Sequence, residues 1–336
     1  MSYRRLVFNA FGGPEVLELV EEDIPPEPGR GEVRVRVSMA SASFTDIMIR
    51  KGKYPEVKKK PPFSPGYDLI GEVDKVGEGV ARLEPGQVVV GLPVIGGCSE
   101  YVRMAADELM PVPRELDQAQ AVSLVLSYVT AYQLLHRVAG AQPGQRILVH
   151  GAGGAVGTAL IQLGKLQDLE IFGTASQAKH DLVSAQGAVP IDYQKEDFAE
   201  RVRSMTGDGL DAVFDPIGGD NLKRSFRVLR PGGVLVAYGF YRSVLGYGGS
   251  IPFDLLRLKL WNLLPNQRSA AFYSIGAMRR KHPDFFSSDL STLFDLLAEG
   301  RIAPVIEDIV PLSRAREAYD RLERGEVKGR VLISLA

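Results

Sequence analysis

Ile147-Leu148-Val149-His150 runs directly into Gly151-Ala152-Gly153-Gly154-Ala155-Val156-Gly157, and a helix-compatible stretch follows to Lys165. A short apolar run that stops at glycine reads as a buried strand. Ala152, Gly154 and Gly157 then fall at the three small-residue positions of a dinucleotide-binding turn. The first makes the turn tight, Gly154 lets backbone approach a pyrophosphate, and Gly157 lets helix pack closely on strand. The helix amino end adds N–H groups and positive dipole for the anion. Glycine clusters are common in loops, but one set between a predicted strand and a predicted helix points to a nucleotide.

Working outward, the pattern keeps alternating. Glu170–Thr174 is a predicted strand, Lys179–Gln186 a helix, and Val189–Asp192, Ala212–Asp215 and Val234–Tyr238 continue the strand series. Strand and helix in alternation at this spacing imply a doubly wound parallel sheet. The second strand ends Phe172-Gly173-Thr174-Ala175-Ser176 without the acid that would accept the ribose hydroxyls of NAD, and Lys179 follows. A hydroxyl and an ammonium suit a 2′-phosphate. Lys179 reads equally well as a solvated helix residue; the missing acid carries the expectation that the cofactor is NADPH.

The first third has a different character. Val33-Arg34-Val35-Arg36-Val37 alternates as a half-buried strand does, and Leu69–Val76 and Gln87–Gly91 are further strands set off by Gly79 and Pro85-Gly86. An antiparallel, barrel-like domain is expected there. Ala119–Arg137 has helical spacing, and Gln142-Pro143-Gly144-Gln145 breaks it. From about Ser287 come a helix, the segment Ile302–Val310, a helix over Ser313–Arg324 and a strand at Val331–Leu335. The economical arrangement returns this tail to the first domain, giving residues 1–125 with 270–336 and an inserted sheet domain at 126–269. The apolar run Leu255–Leu264 is read by default as core, with a substrate cleft or a subunit interface as alternatives.

Composition narrows the partners. The 336 residues are 45% hydrophobic and 24% charged with a net charge of -1, ordinary globular usage without a footprint for nucleic acid or an anionic membrane. The short basic runs Lys58–Lys60 and Arg279–Lys281 read as solvated faces. One cysteine, Cys98, excludes an internal disulfide and fits a reducing, cytoplasmic compartment. No apolar stretch reaches the length of a bilayer span.

The order of the blocks is as informative as the turn. Pro65-Gly66-Tyr67-Asp68-Leu69-Ile70-Gly71-Glu72-Val73, Val129-Thr130-Ala131-Tyr132, the glycine-rich turn, Asp215-Pro216-Ile217-Gly218-Gly219, Leu312–Ala318 and Gly329-Arg330-Val331-Leu332 follow one another along nearly the whole chain. Together they resemble the medium-chain dehydrogenase/reductase superfamily and, within it, the quinone oxidoreductase branch. Phe172–Lys179, Pro190–Tyr193 and Trp261-Asn262 are most similar to the relatives of a synaptic vesicle transport protein in that branch. The resemblance implies an α/β chain in which a Rossmann domain is inserted into a GroES-like β-barrel catalytic domain, with a cleft between them. It implies that Ser176, Lys179 and Tyr193 hold the 2′-phosphate of NADPH. Thr130 matches a contact near the nicotinamide, and Tyr238-Gly239-Phe240 a segment beyond the pyrophosphate. The expected cofactor site is completed by Ala152, Gly153, Gly154, Ala155, Val156, Gly157, Thr174 and Gly218. A homodimer paired through the edge strands of the Rossmann sheet is implied as well.

Zinc-dependent relatives need a thiolate and an imidazole converging on one metal. In the matching positions stand Ser43 and Tyr67, and His136, His150, His180 and His282 show no ligand spacing, so no metal is expected. His150, at the strand end, reads as packed or capping. Without a Lewis acid, hydrogen-bond donors must polarise a small carbonyl or quinone substrate while NADPH supplies hydride. The candidates are Thr45, at the place of the hydroxyl that relays protons in zinc relatives, and Tyr54, which matches a tyrosine at the active-site mouth of quinone oxidoreductases. Ser43 and Asp46 belong to the same segment, and Asp46 with Arg50 one turn on is expected to form a bracing ion pair. Two departures stand out: the branch usually carries Asn at Ser43 and commonly a second tyrosine at Met48. They leave a second function open, an NADPH-binding protein with little catalytic activity and a structural, sensing or partner-binding role.

Overall fold

Val33, Val35 and Val37 point into the core while Arg34 and Arg36 point out to Asp74, Glu27 and Glu72. That alternation builds the longest strand of the computed structural model, which describes residues 2–335. The strands are β1 (Tyr3–Phe8), β2 (Leu17–Glu22), β3 (Glu32–Ala42), β4 (Leu69–Val76), β5 (Val88–Gly91), β6 (Tyr101–Ala105), β7 (Leu109–Pro111), β8 (Arg146–His150), β9 (Glu170–Ala175), β10 (Val189–Asp192), β11 (Leu210–Asp215), β12 (Leu229–Ala237), β13 (Ser269–Phe272), β14 (Ile306–Pro311) and β15 (Arg330–Ser334). Helices that bear on the site are α1 (Phe44–Arg50), α2 (Ala155–Lys165), α3 (Phe198–Thr206), α4 (Asp220–Arg227), α5 (Ile251–Trp261) and α6 (Ala315–Glu323).

The chain forms two compact units, one from the residues up to Leu126 together with those from Leu290 on, the other Ser127–Asp289. The first is built on a sheet in the order β14-β15-β3-β4-β5-β7, with β6 also pairing β3, and on the hairpin β1-β2. Its pairs are antiparallel except β14 with β15. A buried Arg330–Asp68 pair at 3.1 Å joins the start of β15 to the residue before β4, and Asp68 also accepts the Ser41 amide at 3.1 Å.

The second unit is a parallel sheet in the order β10-β9-β8-β11-β12-β13. The strand order reverses between β8 and β11, so the carboxyl ends of β9, β8, β11 and β12 gather along one edge at a switch point, where ligands of such sheets bind. Ile147, Leu148 and Val149 are fully buried, as a central parallel strand requires. Leu148, Phe172, Val213 and Leu235 pack with Phe198, Val202, Leu222 and Phe226 into one core.

Two sequence expectations need correction. The inserted unit does not end at residue 269, which lies inside β13; that strand pairs with β12 and so belongs to the sheet. Beyond it, Tyr273 Oη donates to Gln133 Oε1 at 2.8 Å and Gln133 Nε2 to Asp289 Oδ2 at 2.8 Å, tying the chain to this unit as far as Asp289. Nor is Leu255–Leu264 mainly core. Leu258 is buried and Trp261 stacks on Phe226 at 4.5 Å, but Leu256, Leu260, Leu263 and Leu264 are exposed, because α5 turns only one face to the sheet.

Candidate functional site

In the second unit, the glycine-rich turn closes as its residues dictate. Gly151 has φ +67, and Ala152 N donates to Thr174 O at 3.0 Å, pinning the turn to the end of β9. A methyl on Gly157 would lie 2.3 Å from Gly151 O, so only glycine lets α2 start so close to β8. Ala152 is accommodated in turn by Gly173, where a methyl would come within 2.6 Å of the Ala152 Cβ. Gly154 differs: a methyl there would meet only Gly151 O, at 3.4 Å. The space above it is open. Gly154 caps α2 without a side-chain bond, and the first backbone bond of the helix runs from Thr158 N to Gly154 O at 2.9 Å. The amides of Ala155, Val156 and Gly157 therefore sit at the helix mouth, where Gly154, Ala155 and Val156 are half-buried residues. Side chains leave the space above Gly154 clear, and a cradle of this shape has the geometry an anion requires.

Beside it, the ends of β9 and β10 bring three predicted residues together. Asp192 is the register partner of Ala175, so Tyr193 follows β10 next to where Ser176 follows β9. Tyr193 is exposed, and Ser176 and Lys179 are half-buried. The stem of Lys179 lies across the turn, its Cδ 2.7 Å from where a Gly153 Cβ would be. A cationic, hydroxyl-bearing rim whose nearest acid, Asp192, is buried at the end of β10 fits a 2′-phosphorylated adenosine, and an unblocked helix mouth fits its diphosphate.

Thr174 plays another part than expected. Asp215 accepts the amides of Ile217 and Gly218, Asn221 Nδ2 and the Ser225 hydroxyl at 2.7–3.1 Å. With its proton given to Asp215, Ser225 Oγ accepts from His150 Nε2 at 3.0 Å, which leaves Nδ1 to accept from Thr174 Oγ1 at 2.9 Å. The hydroxyl of Thr174 is thus turned inward. His150 is held as the neutral Nε2–H tautomer, and burial lowers its pKa against the pull of Asp215. The chain of bonds ties the ends of β9, β8 and β11 together under the cradle. Nothing in the spacing of these residues announces it; only the packed or capping role of His150 was legible.

The loops after β11 and β12 are zipped to each other: Tyr238 N donates to Asp215 O, Tyr241 N to Pro216 O and Arg242 N to Ile217 O, each at 3.0 Å. Gly218 has φ +78, and a methyl on Gly239 would touch Pro216 O at 2.9 Å, so both glycines are required by the close pairing. Tyr238 is half-exposed and Phe240 buried, stacked on Phe272 at 5.2 Å. Burial, aided by Asp215, raises the phenol pKa of Tyr238, so it stays a neutral donor. Thr130 is buried in the same unit.

In the first unit the expected substrate segment divides. Ser43 is the N-cap of α1: it accepts from Asp46 N at 3.2 Å and donates its hydroxyl to Asp46 Oδ2 at 2.7 Å, while its amide bonds the same oxygen at 3.0 Å. This is a capping box with aspartate in place of the usual glutamate. Asp46 is buried completely and its other oxygen accepts Gly66 N at 2.9 Å. Burial outweighs these bonds and lifts its pKa to about 6. Ser43 and Asp46 are therefore structural here rather than substrate groups, and the expected Asp46–Arg50 pair does not form. Arg50, at the far end of α1, pairs instead with Glu323 of α6. Thr45 and Tyr54 remain half-buried. Tyr67, which the sequence presented only as a missing ligand, is buried with its Oη 2.7 Å from that of Tyr54. Among the described residues no three His, Cys, Asp or Glu side chains converge as a metal site would require.

Known proteins with this build are numerous. Residues 29–114 match the family model of the alcohol dehydrogenase GroES-like domain, and 186–333 that of zinc-binding dehydrogenase. The synaptic vesicle membrane protein VAT-1 homolog of Danio rerio is 31% identical over 341 aligned residues, covering 99% of this chain and 70% of that protein. The chain belongs to the medium-chain dehydrogenase/reductase superfamily. Within the superfamily its neighbours are VAT-1 homologues and quinone oxidoreductases. Quinone oxidoreductase-like protein 2 of Bos taurus is 32% identical over 94% of this chain and 89% of its own length. The crystal structure of Escherichia coli quinone oxidoreductase complexed with NADPH superposes with a TM-score of 0.87 at 27% identity, over 98% of this chain and 99% of that one. The two units are accordingly a GroES-like domain and a Rossmann domain, and the chain is an oxidoreductase by family.

Proposed function

We propose that this chain is a metal-independent, NADPH-dependent reductase that delivers hydride to a quinone or an α,β-unsaturated carbonyl. The observation that carries the reading is the pairing of an open helix mouth at Gly154 with the cationic, hydroxyl-bearing rim of Ser176, Lys179 and Tyr193. The helix amides would hold the diphosphate, and Ser176, Lys179 and Tyr193 the 2′-phosphate. NADPH would supply the hydride, which carries both electrons. The polypeptide has then to place a proton at the reduced carbonyl oxygen, and the half-buried hydroxyls of Thr45 and Tyr54 are the groups suited to do so. A metal is not needed for this chemistry, and Ser43 is engaged as a cap.

The engagement of Ser43 favours one second reading, a nucleotide-binding protein of low turnover, since it removes a donor from the substrate side. Calorimetric titration with NADPH and with NADH tests the common premise. NADPH is expected to bind about tenfold tighter or more, from a charge-assisted contact of about 1.5–3 kcal/mol, and Lys179→Ala to erase the gap. Failure of both nucleotides to bind refutes both readings. Consumption of NADPH with added quinone or enone then separates them.

A cytoplasmic homodimer fits the same reading. No helix among the described residues is long and apolar enough to cross a membrane. The edge strand β13 is flanked by exposed Phe253, Leu256, Leu260 and Phe272, an apolar surface suited to a second copy. Sedimentation should give a dimer that Leu256→Asp/Leu260→Asp dissociates; a monomeric wild type refutes the assignment.

A further inference from the structure

The loop that carries Tyr67 is clamped on both sides. Asp46 Oδ1 holds the Gly66 amide at 2.9 Å, and Asp68 is held by Ser41 N and Arg330 at 3.1 Å each. Gly66 itself has φ +103, and a methyl there would lie 2.4 Å from Cys98 N, so the loop has no other path. Between the clamps the Tyr67 ring meets the Tyr54 ring edge-on at 5.9 Å and 84°, with the two phenol oxygens 2.7 Å apart. Tyr67 is sealed from solvent and Tyr54 is half-buried. Glu56 Oε2 also accepts from Tyr54 Oη, at 3.5 Å, a contact at the long limit of a hydrogen bond.

We propose that Tyr67 is a positioning residue for the proton-delivering phenol of Tyr54. The inference rests on the reductase reading. As hydride arrives on the substrate, negative charge gathers on its carbonyl oxygen. The Tyr54 O–H bond breaks, a new O–H bond forms on the substrate, and Tyr54 Oη takes the charge. Tyr67 keeps its proton and donates to that oxygen. A hydrogen bond to an ionised acceptor is about twice as strong as one between neutral groups, and more so away from water. The pair is thus tighter after proton transfer than before it, which is what a catalytic support must do. Tyr54 then regains a proton from solvent.

A phenol buried only to fill space would have no such asymmetry, and the test uses that difference. With NADPH saturating, turnover of 1,4-benzoquinone and but-3-en-2-one is measured for the wild type, Tyr67→Phe, Tyr54→Phe and the double variant. Tyr67→Phe is expected to lower kcat about tenfold, with NADPH affinity and melting temperature unchanged, and to have no further effect in the Tyr54→Phe background. Equal losses in both backgrounds, a loss that tracks melting, or no loss overturns the inference. If the wild type turns over neither probe, the reductase reading fails on its own. The pair is then tested by ¹³Cζ-tyrosine NMR: Tyr67→Phe raises the titration midpoint of Tyr54 if the pair acts as proposed, and an unmoved midpoint overturns it.

Discussion

Asp46 offers a quantitative test of the site's construction. Three donors favour its ionised form, yet complete burial raises its pKa from the ordinary 3.8 to about 6. At about 1.4 kcal/mol per pH unit the rise is worth about 3 kcal/mol. Its sign follows from proton uptake. Between pH 4 and 6 the folded chain binds a proton at Asp46 that the unfolded chain has released. The stabilisation is complete below the unfolded value and is lost as pH rises through about 6. The perturbation is Asp46→Asn, which keeps the volume and removes the titration. Chemical denaturation of both proteins, followed by a probe in the first unit, should show the wild-type advantage shrinking by about 2.5 kcal/mol from pH 4 to pH 7. A flat difference, or an advantage that grows with pH, would mean that the hydrogen bonds outweigh burial at Asp46, and desolvation could no longer account for its proton affinity.

The remaining predictions concern the second unit. Gly157→Ala should lower the melting temperature, by an overpacking cost of about 1–3 kcal/mol, because its methyl meets backbone at 2.3 Å; unchanged melting refutes the tight start of α2. Gly154→Ala should instead leave melting nearly unaltered and weaken NADPH binding in titration, since its methyl stands in the open cradle; intact affinity would place the diphosphate elsewhere. His150, whose pKa is lowered by burial, should destabilise the fold as pH falls below about 6.5. His150→Gln keeps a donor for Ser225 and should flatten that acid limb in thermal melts, while an unchanged limb would clear His150 of the effect.

The parallel sheet was readable because its evidence is local. The period of Ile147–Val149, the glycines after His150 and the following helix all lie within a few turns of chain. The tight turn at Gly151–Gly157 was readable for the same reason, and Ser176 and Tyr193 follow strand ends that pair in register. Contacts across long separations were not. Glu323 takes Arg50 from Asp46 across 273 positions, and only folding brings the two together. The limit of the inserted unit was misplaced because β13 is a short edge strand, and its membership rests on pairing with β12 rather than on any pattern of its own. Leu255–Leu264 misled because hydrophobic composition does not say which helix face has a partner.

The two positions where zinc relatives carry ligands show how the chain closes this part of its fold with hydrogen bonds. A metal bound there would cross-link the segment at Ser43 to the segment at Tyr67. Here one carboxylate makes that cross-link, since Asp46 Oδ2 holds Ser43 and Oδ1 holds Gly66, the residue before Tyr67. A neutral side chain could not accept from the Ser43 amide, the Ser43 hydroxyl and the Gly66 amide with equal strength. Hence a charge is kept in a fully buried place despite the desolvation that raises its pKa. The vacated ligand positions are thereby free for other duties: Ser43 starts α1, and Tyr67 brings its phenol to Tyr54. Asp46→Asn should consequently loosen the Tyr67 loop as well as the start of α1. Hydrogen exchange at the Gly66 amide reads that coupling directly, and unchanged protection there would separate the two segments and refute the cross-link.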